Sequence, residues 1–255
     1  MTDPIRSFYD PLAQHYHLLF DDWDKAIDRQ SQVLDSLLSS RCPAKPLRIL
    51  DCACGIGTQS IAVAKLGHRV TGSDLSPTAI ARARKEAADR SLEIDFYVSD
   101  MTSLQEITDK DFDVVVALDN ALPHLSLDQL ASAASAMKSV LKPGGLLMAS
   151  IRGYDQILVE KPAIQQPAFY SSHGGRRIVH QVWDWVEANR YIVHLYITEQ
   201  TANGWESLHF VSEYHCIRRD QLSAILRRAG FEKVEWVMPA ESGFYQPIVI
   251  AGMRT

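Results

Sequence analysis

The run Phe112–Leu118, FDVVVAL, is the strongest constraint in the sequence. Asp113 is its only polar residue, and apolar and polar positions do not alternate. A strand of this kind needs cover on both faces, as in a parallel sheet flanked by helices. Leu47–Asp51, Arg69–Ser73, Ile94–Val98 and Leu146–Ile151 also read as strands. Helices are predicted between them over Thr58–Leu66, Pro77–Ala88 and Leu127–Leu141. Ser76 stands as an N-cap ahead of Pro77, and Lys142-Pro143-Gly144-Gly145 reads as a stop. This order predicts an α/β, doubly wound, mostly parallel sheet.

The pattern changes after residue 165. Ile178–Glu187, Tyr191–Gln200 and Trp205–His215 read as strands with no helix between them, and Asn189 and Asn203-Gly204 are turn signals. That predicts an antiparallel insert between strand five and the last helix. A helix at Arg219–Ala229 and strands at Lys233–Met238 and Pro247–Met253 then complete seven strands in the main sheet. The expected organisation is a helical lid segment over 1–45, a ligand-binding core over 46–160, the insert over 161–216, and a return to the core over 217–255. With 255 residues, one elaborated domain fits better than two equal ones.

Composition narrows the function. A net charge of −5 gives no electrostatic case for nucleic acid. No apolar run approaches the roughly 20 residues of a membrane helix. Residues 1–12, MTDPIRSFYDPL, lack the charged-then-apolar pattern of a secretion signal. The cysteines Cys42, Cys52, Cys54 and Cys216 are few and unevenly spaced, which argues for a reducing compartment. A cytoplasmic, soluble protein is expected, free or as a homo-oligomer.

The candidate site lies at the first strand-to-helix turn, LDCACGIG. Cys52 and Cys54 raise a metal or thiol site, but no second ligand pair follows, and no metal is expected. Gly55 and Gly57 permit close backbone approach to a ligand. Ser60 leaves GxGxxG incomplete, which disfavours a nicotinamide dinucleotide. Asp74 ends strand two, roughly 20 residues on, where a ribose diol is usually held. Asp100 follows strand three.

Together LDCACGIG, TGSDLSP, VSDM, FDVVVALDN and LKPGG resemble the motifs of class I S-adenosylmethionine-dependent methyltransferases. The resemblance implies a Rossmann-like fold and S-adenosylmethionine as cofactor, left as S-adenosylhomocysteine. Asp74 and Leu75 would meet the ribose. Asp100 would accept from the adenine amine, with Met101 against the ring. Ala53, Gly55 and Gly57 would lie along the methionine part, with Leu118 and Asp119 nearby. Asp51 would orient the loop or meet the ligand amine.

A narrower resemblance is to the glycine and sarcosine N-methyltransferases. FYDPLAQHYHLLFDDW resembles their lid, which implies Tyr9 and Tyr16 over the cofactor. Arg29 would pair with its carboxylate, or is a surface arginine. LDNALPHL and SIRGYDQIL resemble two further segments. They imply Asn120 accepting amine hydrogens and Arg152 clamping a substrate carboxylate. His124 would assist deprotonation, or cap and support the site. Tyr170, Tyr214 and Tyr245 would face the acceptor, or fill the core. Asp119 stands where those enzymes have glycine, a change suited to a larger cationic amine. The acceptor implied is a small molecule, most simply an amino acid or amine. An oxygen- or carbon-methylating enzyme and a non-catalytic S-adenosylmethionine-binding protein are the alternatives.

Overall fold

The computed structural model describes residues 3–171 and 175–253. The chain opens with α1 (Pro4–Leu12), a 3-10 turn at Tyr16–Leu19 and α2 (Trp23–Ser39). Asp3 and Asp22 cap the two helices through their carboxylates. Then come β1 (Arg48–Asp51), α3 (Thr58–Ala64), β2 (Arg69–Asp74), α4 (Pro77–Asp89), β3 (Ile94–Val98) and β4 (Phe112–Ala117). They are followed by α5 (Leu127–Val140), β5 (Leu141–Ser150) and α6 (Tyr154–Glu160). The insert holds β6 (Ala168–Tyr170), β7 (Arg177–Glu187), β8 (Arg190–Thr201) and β9 (Gly204–His215). The chain closes with α7 (Arg219–Arg228), β10 (Lys233–Val237), α8 (Pro239–Ser242) and β11 (Ile248–Gly252).

The main sheet has the order β10-β11-β5-β4-β1-β2-β3. Its strands are parallel except β11, which runs antiparallel to both β10 and β5. Val114, Val115 and Ala117 of β4 are fully buried, as their unbroken apolar run requires. From β1 the chain first moves to β2 and β3, then crosses to β4 on the other side. The carboxyl ends of β1 and β4 therefore border the crevice where open α/β sheets bind ligands. LKPGG is not a connection but the start of β5, which pairs back to Phe112 across a register shift.

The insert is a second, antiparallel sheet of order β6-β7-β8-β9. Period-two alternation sends Tyr191, Val193, Leu195 and Ile197 of β8 inward, all 3% exposed or less. The lid is tied to this sheet. The Tyr170 hydroxyl donates to the Leu19 carbonyl at 3.1 Å, and Arg177 Nη2 donates to the Phe20 carbonyl at 2.6 Å. Tyr170 is thus a strut rather than a substrate-facing group. Among the described residues, no helix is long and apolar enough to cross a membrane.

Candidate active site

The turn after β1 is shaped by two left-handed glycines. Gly55 has φ +52° and Gly57 φ +93°. A Cβ on Gly57 would press on Ala83 of α4, so this glycine lets the loop pack down. A Cβ on Gly55 would meet nothing within 4 Å, because Gly55 borders a cavity. The loop is pinned from below. Asp74 accepts from the Gly55 and Ser76 amides, both at 2.9 Å. Asp51 is buried beneath the loop and accepts from Ser60 Oγ at 2.7 Å. Burial raises the Asp51 carboxyl to about 7, against the opposing pull of its hydrogen bonds. Burial also raises Asp74.

The cavity has about 720 Å3 of empty space, part of it open to solvent. Ala53, Gly55, Asp74, Leu75, Asp100, Met101, Leu118 and Asp119 line it, with Tyr9 and Tyr16 from the lid. Three expected residues do not. Asp51 supports the loop from inside, and Gly57 packs on α4. Arg29 is exposed on α2, beside a neighbouring hollow bordered by Phe20 and Tyr245, so the pairing implied for it has no geometric basis. Cys52 and Cys54 pack as small apolar groups, and burial raises both thiols. Among the described residues no cluster of three or more metal-ligating side chains occurs.

A second cavity of about 720 Å3 lies beneath the lid and the insert. Asn120, Arg152, Tyr214 and Tyr245 border it, and Tyr9, Tyr16 and Asp119 border both cavities. The two spaces meet at those three side chains. Asp119 and Asn120 are both left-handed, at φ +57° and +63°, a conformation that Asp and Asn tolerate best among residues with a Cβ. The Asp119 amide donates to Ser150 Oγ at 2.8 Å, which fixes the turn. The Asp119 carboxylate then accepts from Tyr16 at 2.8 Å and Tyr245 at 2.5 Å, joining the lid to the loop before β11.

Asn120 Oδ1 already accepts from the Arg152 amide at 2.9 Å, which leaves one lone pair for another donor. Its buried Nδ2 closes no hydrogen bond among the described residues. Arg152 is half-buried with its guanidinium turned into the cavity. Nη1 donates to the Tyr191 hydroxyl at 3.0 Å and Nη2 to Gln181 Oε1 at 3.3 Å. The rings of Trp183 and Tyr214 lie 5.0 and 5.3 Å from its Cζ. Burial works against this charge, but neighbouring tyrosines outweigh it and raise the guanidinium pKa. No carboxylate pairs with Arg152 among the described residues.

His124 borders the first cavity. Burial first, then Arg152, lowers its imidazole to about 3. Phe8, Leu12, Gln181 and Leu195 also border the second cavity and were not anticipated. Gln181 had a visible signal. It shares the inward face of β7 with Trp183 and Trp185, where a polar side chain needs a partner.

The first cavity fits S-adenosylmethionine. Carboxylates at the ends of β2 and β3 suit hydroxyl and amine hydrogens, Leu75, Met101 and Leu118 suit a ring, and the open face of Gly55 admits close backbone approach. With Arg29 elsewhere, the methionine carboxylate would fall to Thr58, Gln59 and the loop.

Residues 49–145 match the family described as "Methyltransferase domain". A ubiquinone biosynthesis O-methyltransferase of Brucella ovis is 41% identical over 106 residues, 41% of each chain. The chain thus spans about two fifths of that relative's length. An S-adenosylmethionine-dependent methyltransferase from Clostridium acetobutylicum has a TM-score of 0.77 at 14% identity, over 97% of this chain and 99% of that one. An S-adenosylmethionine-bound amino pentose methyltransferase from Micromonospora echinaspora, CalS10, has a TM-score of 0.71 at 21% identity, over 95% of each chain. At these identities the structural likeness is one of fold. The chain has the fold of these methyltransferases, and its residues 49–145 match a methyltransferase domain.

Proposed function

We propose that the protein transfers a methyl group from S-adenosylmethionine to a nitrogen or oxygen of a small acceptor that carries an acid group. The carrying observation is Arg152, a guanidinium turned into the second cavity with rings and hydroxyls around it but no acid. A planar donor of this kind suits a carboxylate, and Asn120, whose Nδ2 lies by the Tyr154 hydroxyl without a geometrically closed bond, borders the same space.

When bound, S-adenosylmethionine supplies a methyl on a sulfonium, already a good leaving group. The chain's residues need only bind, orient and exclude water. Arg152 holds the acid end. Tyr9, Tyr16 and Asp119 stand where the cavities meet and present oxygen lone pairs that can hold an N–H or O–H. That aims the acceptor's own lone pair at the methyl. Phe8, Leu12 and Leu195 keep the space dry.

Two readings of the acceptor atom have support. The Asp119 carboxylate borders the same cavity as Arg152 and can accept an N–H of a neutral amine and take the proton that the nitrogen releases on methylation, which suits an amino-acid-like substrate methylated on nitrogen. The names of the curated relatives favour oxygen. That similarity covers 41% of the chain, whereas the acceptor cavity draws on residues 8 to 245. Methyl-labelled S-adenosylmethionine offered with matched amino acids and hydroxy acids, aliphatic and aromatic, separates the two, with mass spectrometry locating the label. Label is expected in acid-bearing compounds. Label found only in compounds without an acid group would sink the proposal.

A further inference from the structure

The surroundings of His124 define which of its nitrogens carries the proton. Nδ1 faces Ser212 Oγ at 3.4 Å and Nε2 faces Tyr9, and the Glu213 main-chain carbonyl of β9 lies beside the ring and is taken to meet Nδ1. A carbonyl only accepts, so Nδ1 holds the hydrogen. Nε2 lies 2.8 Å from the Tyr9 hydroxyl. In a neutral imidazole with Nδ1–H, Nε2 is a bare lone pair, and the Tyr9 hydroxyl must donate to it. The rings of Phe8, Tyr9 and Tyr214 hold the imidazole at centroid distances of 6.3, 5.3 and 4.2 Å. The charged or titratable groups facing it are Arg152, His215, Tyr9 and Tyr214. No carboxylate contacts it among the described residues.

We infer that His124 is a positioning residue: by accepting the Tyr9 hydrogen it turns the Tyr9 oxygen into a fixed hydrogen-bond acceptor where the two cavities meet. A free tyrosine hydroxyl could point its hydrogen at the methyl acceptor and block the approach. With that hydrogen committed to His124, the Tyr9 oxygen offers a lone pair to the junction, beside the Tyr214 hydroxyl that also approaches it. The Tyr9 oxygen then receives the N–H or O–H of the acceptor and helps set its direction of attack. This inference rests on the methyl-transfer reading. The low imidazole pKa agrees with it, since a base that titrates near 3 takes few protons at neutral pH.

The test uses His124→Leu, His124→Gln and Tyr9→Phe in the full chain, each first checked for S-adenosylmethionine binding by calorimetry. Leucine keeps the bulk but cannot accept a hydrogen bond, whereas glutamine can. His124→Leu is expected to lower kcat roughly tenfold, the worth of one hydrogen bond, and by more than any change in cofactor affinity, which calorimetry reads separately because His124 borders that cavity. His124→Gln should recover most of the loss. The Tyr9→Phe/His124→Leu double variant should be no slower than Tyr9→Phe alone. A readout independent of turnover is the 15N-NMR signature of the His124 ring with cofactor bound. A neutral Nδ1–H tautomer unchanged between pH 5 and 8 is expected. If His124→Gln is as slow as His124→Leu, or the ring titrates in that range, the inference is overturned. If cofactor binds but no acceptor is methylated, the methyl-transfer reading fails, and the NMR signature alone then decides the His124–Tyr9 arrangement.

Discussion

The two cavities of this molecule are built in different ways. The proposed cofactor cavity is built largely at the strand ends of one sheet and the turns that follow them. Its carboxylates Asp74 and Asp100 follow β2 and β3, and Asp74 is held by two main-chain amides. The acceptor cavity is mostly side chains, brought from α1, the 3-10 turn, the ends of β4 and β5, three insert strands and the loop before β11. A wall set by strand ends of one sheet keeps its shape as long as the sheet does. A wall of side chains changes its ligand with each substitution. One sheet can therefore keep one cofactor while the acceptor varies.

The sharpest way to break this contrast is to remove the side chain on which the strand-end wall depends. Asp74→Ala frees the Gly55 and Ser76 amides and deletes the group proposed to hold the ribose. Cofactor affinity should fall by about 100-fold or more, as expected for losing charge-assisted bonds, while the protein stays folded. Calorimetry with S-adenosylmethionine reads this. An affinity within a few-fold of the parent would mean that the strand ends do not hold the cofactor.

A smaller effect sharpens the picture of the loop's foundation. The Asp51 carboxyl is raised to about 7, well above its unfolded value near 3.9. The native state therefore binds this proton more tightly than the unfolded state does. The stability it contributes is full below about pH 4 and is lost as pH rises through 7. His124, lowered to about 3 from an unfolded value near 6.5, acts oppositely: its share is full above about pH 6.5 and is lost as pH falls through 3. The difference between parent and Asp51→Asn isolates the carboxyl. Denaturant unfolding should show the parent's advantage shrinking by on the order of 1 kcal/mol or more between pH 4 and 7. An unchanged difference would place Asp51 in ordinary solvated surroundings.

The same contrast explains what could be read from the sequence. The strand runs, the glycine turn and the carboxylates after β2 and β3 are local features with local consequences, and FDVVVAL alone demanded a covered parallel strand. Asp51 and Gly57 were correctly seen as parts of the turn, but whether they faced the ligand depended on α4 and Ser60 packing from below. Arg29 went astray because helical phase decides which hollow a side chain faces. LKPGG read as a break because glycine and proline mark turns, yet β4 offered it a pairing edge. Asn120 borders the second cavity, but only tertiary structure shows that the Arg152 amide donates to its oxygen. The acceptor cavity was least legible, since Phe8, Gln181 and Leu195 meet only when the insert closes on the lid.

The central claim is that Arg152 selects an acid-bearing acceptor without serving the cofactor. The most direct measurement compares methyl transfer to an acid with transfer to its amide, for the parent and for Arg152→Met. The parent should prefer the acid by about 100-fold in kcat/KM, in line with a buried charge-assisted pair. Arg152→Met should abolish that preference, mainly through KM, and leave S-adenosylmethionine affinity unchanged. Equal use of acid and amide by the parent, or an acid preference that survives Arg152→Met, would contradict the account.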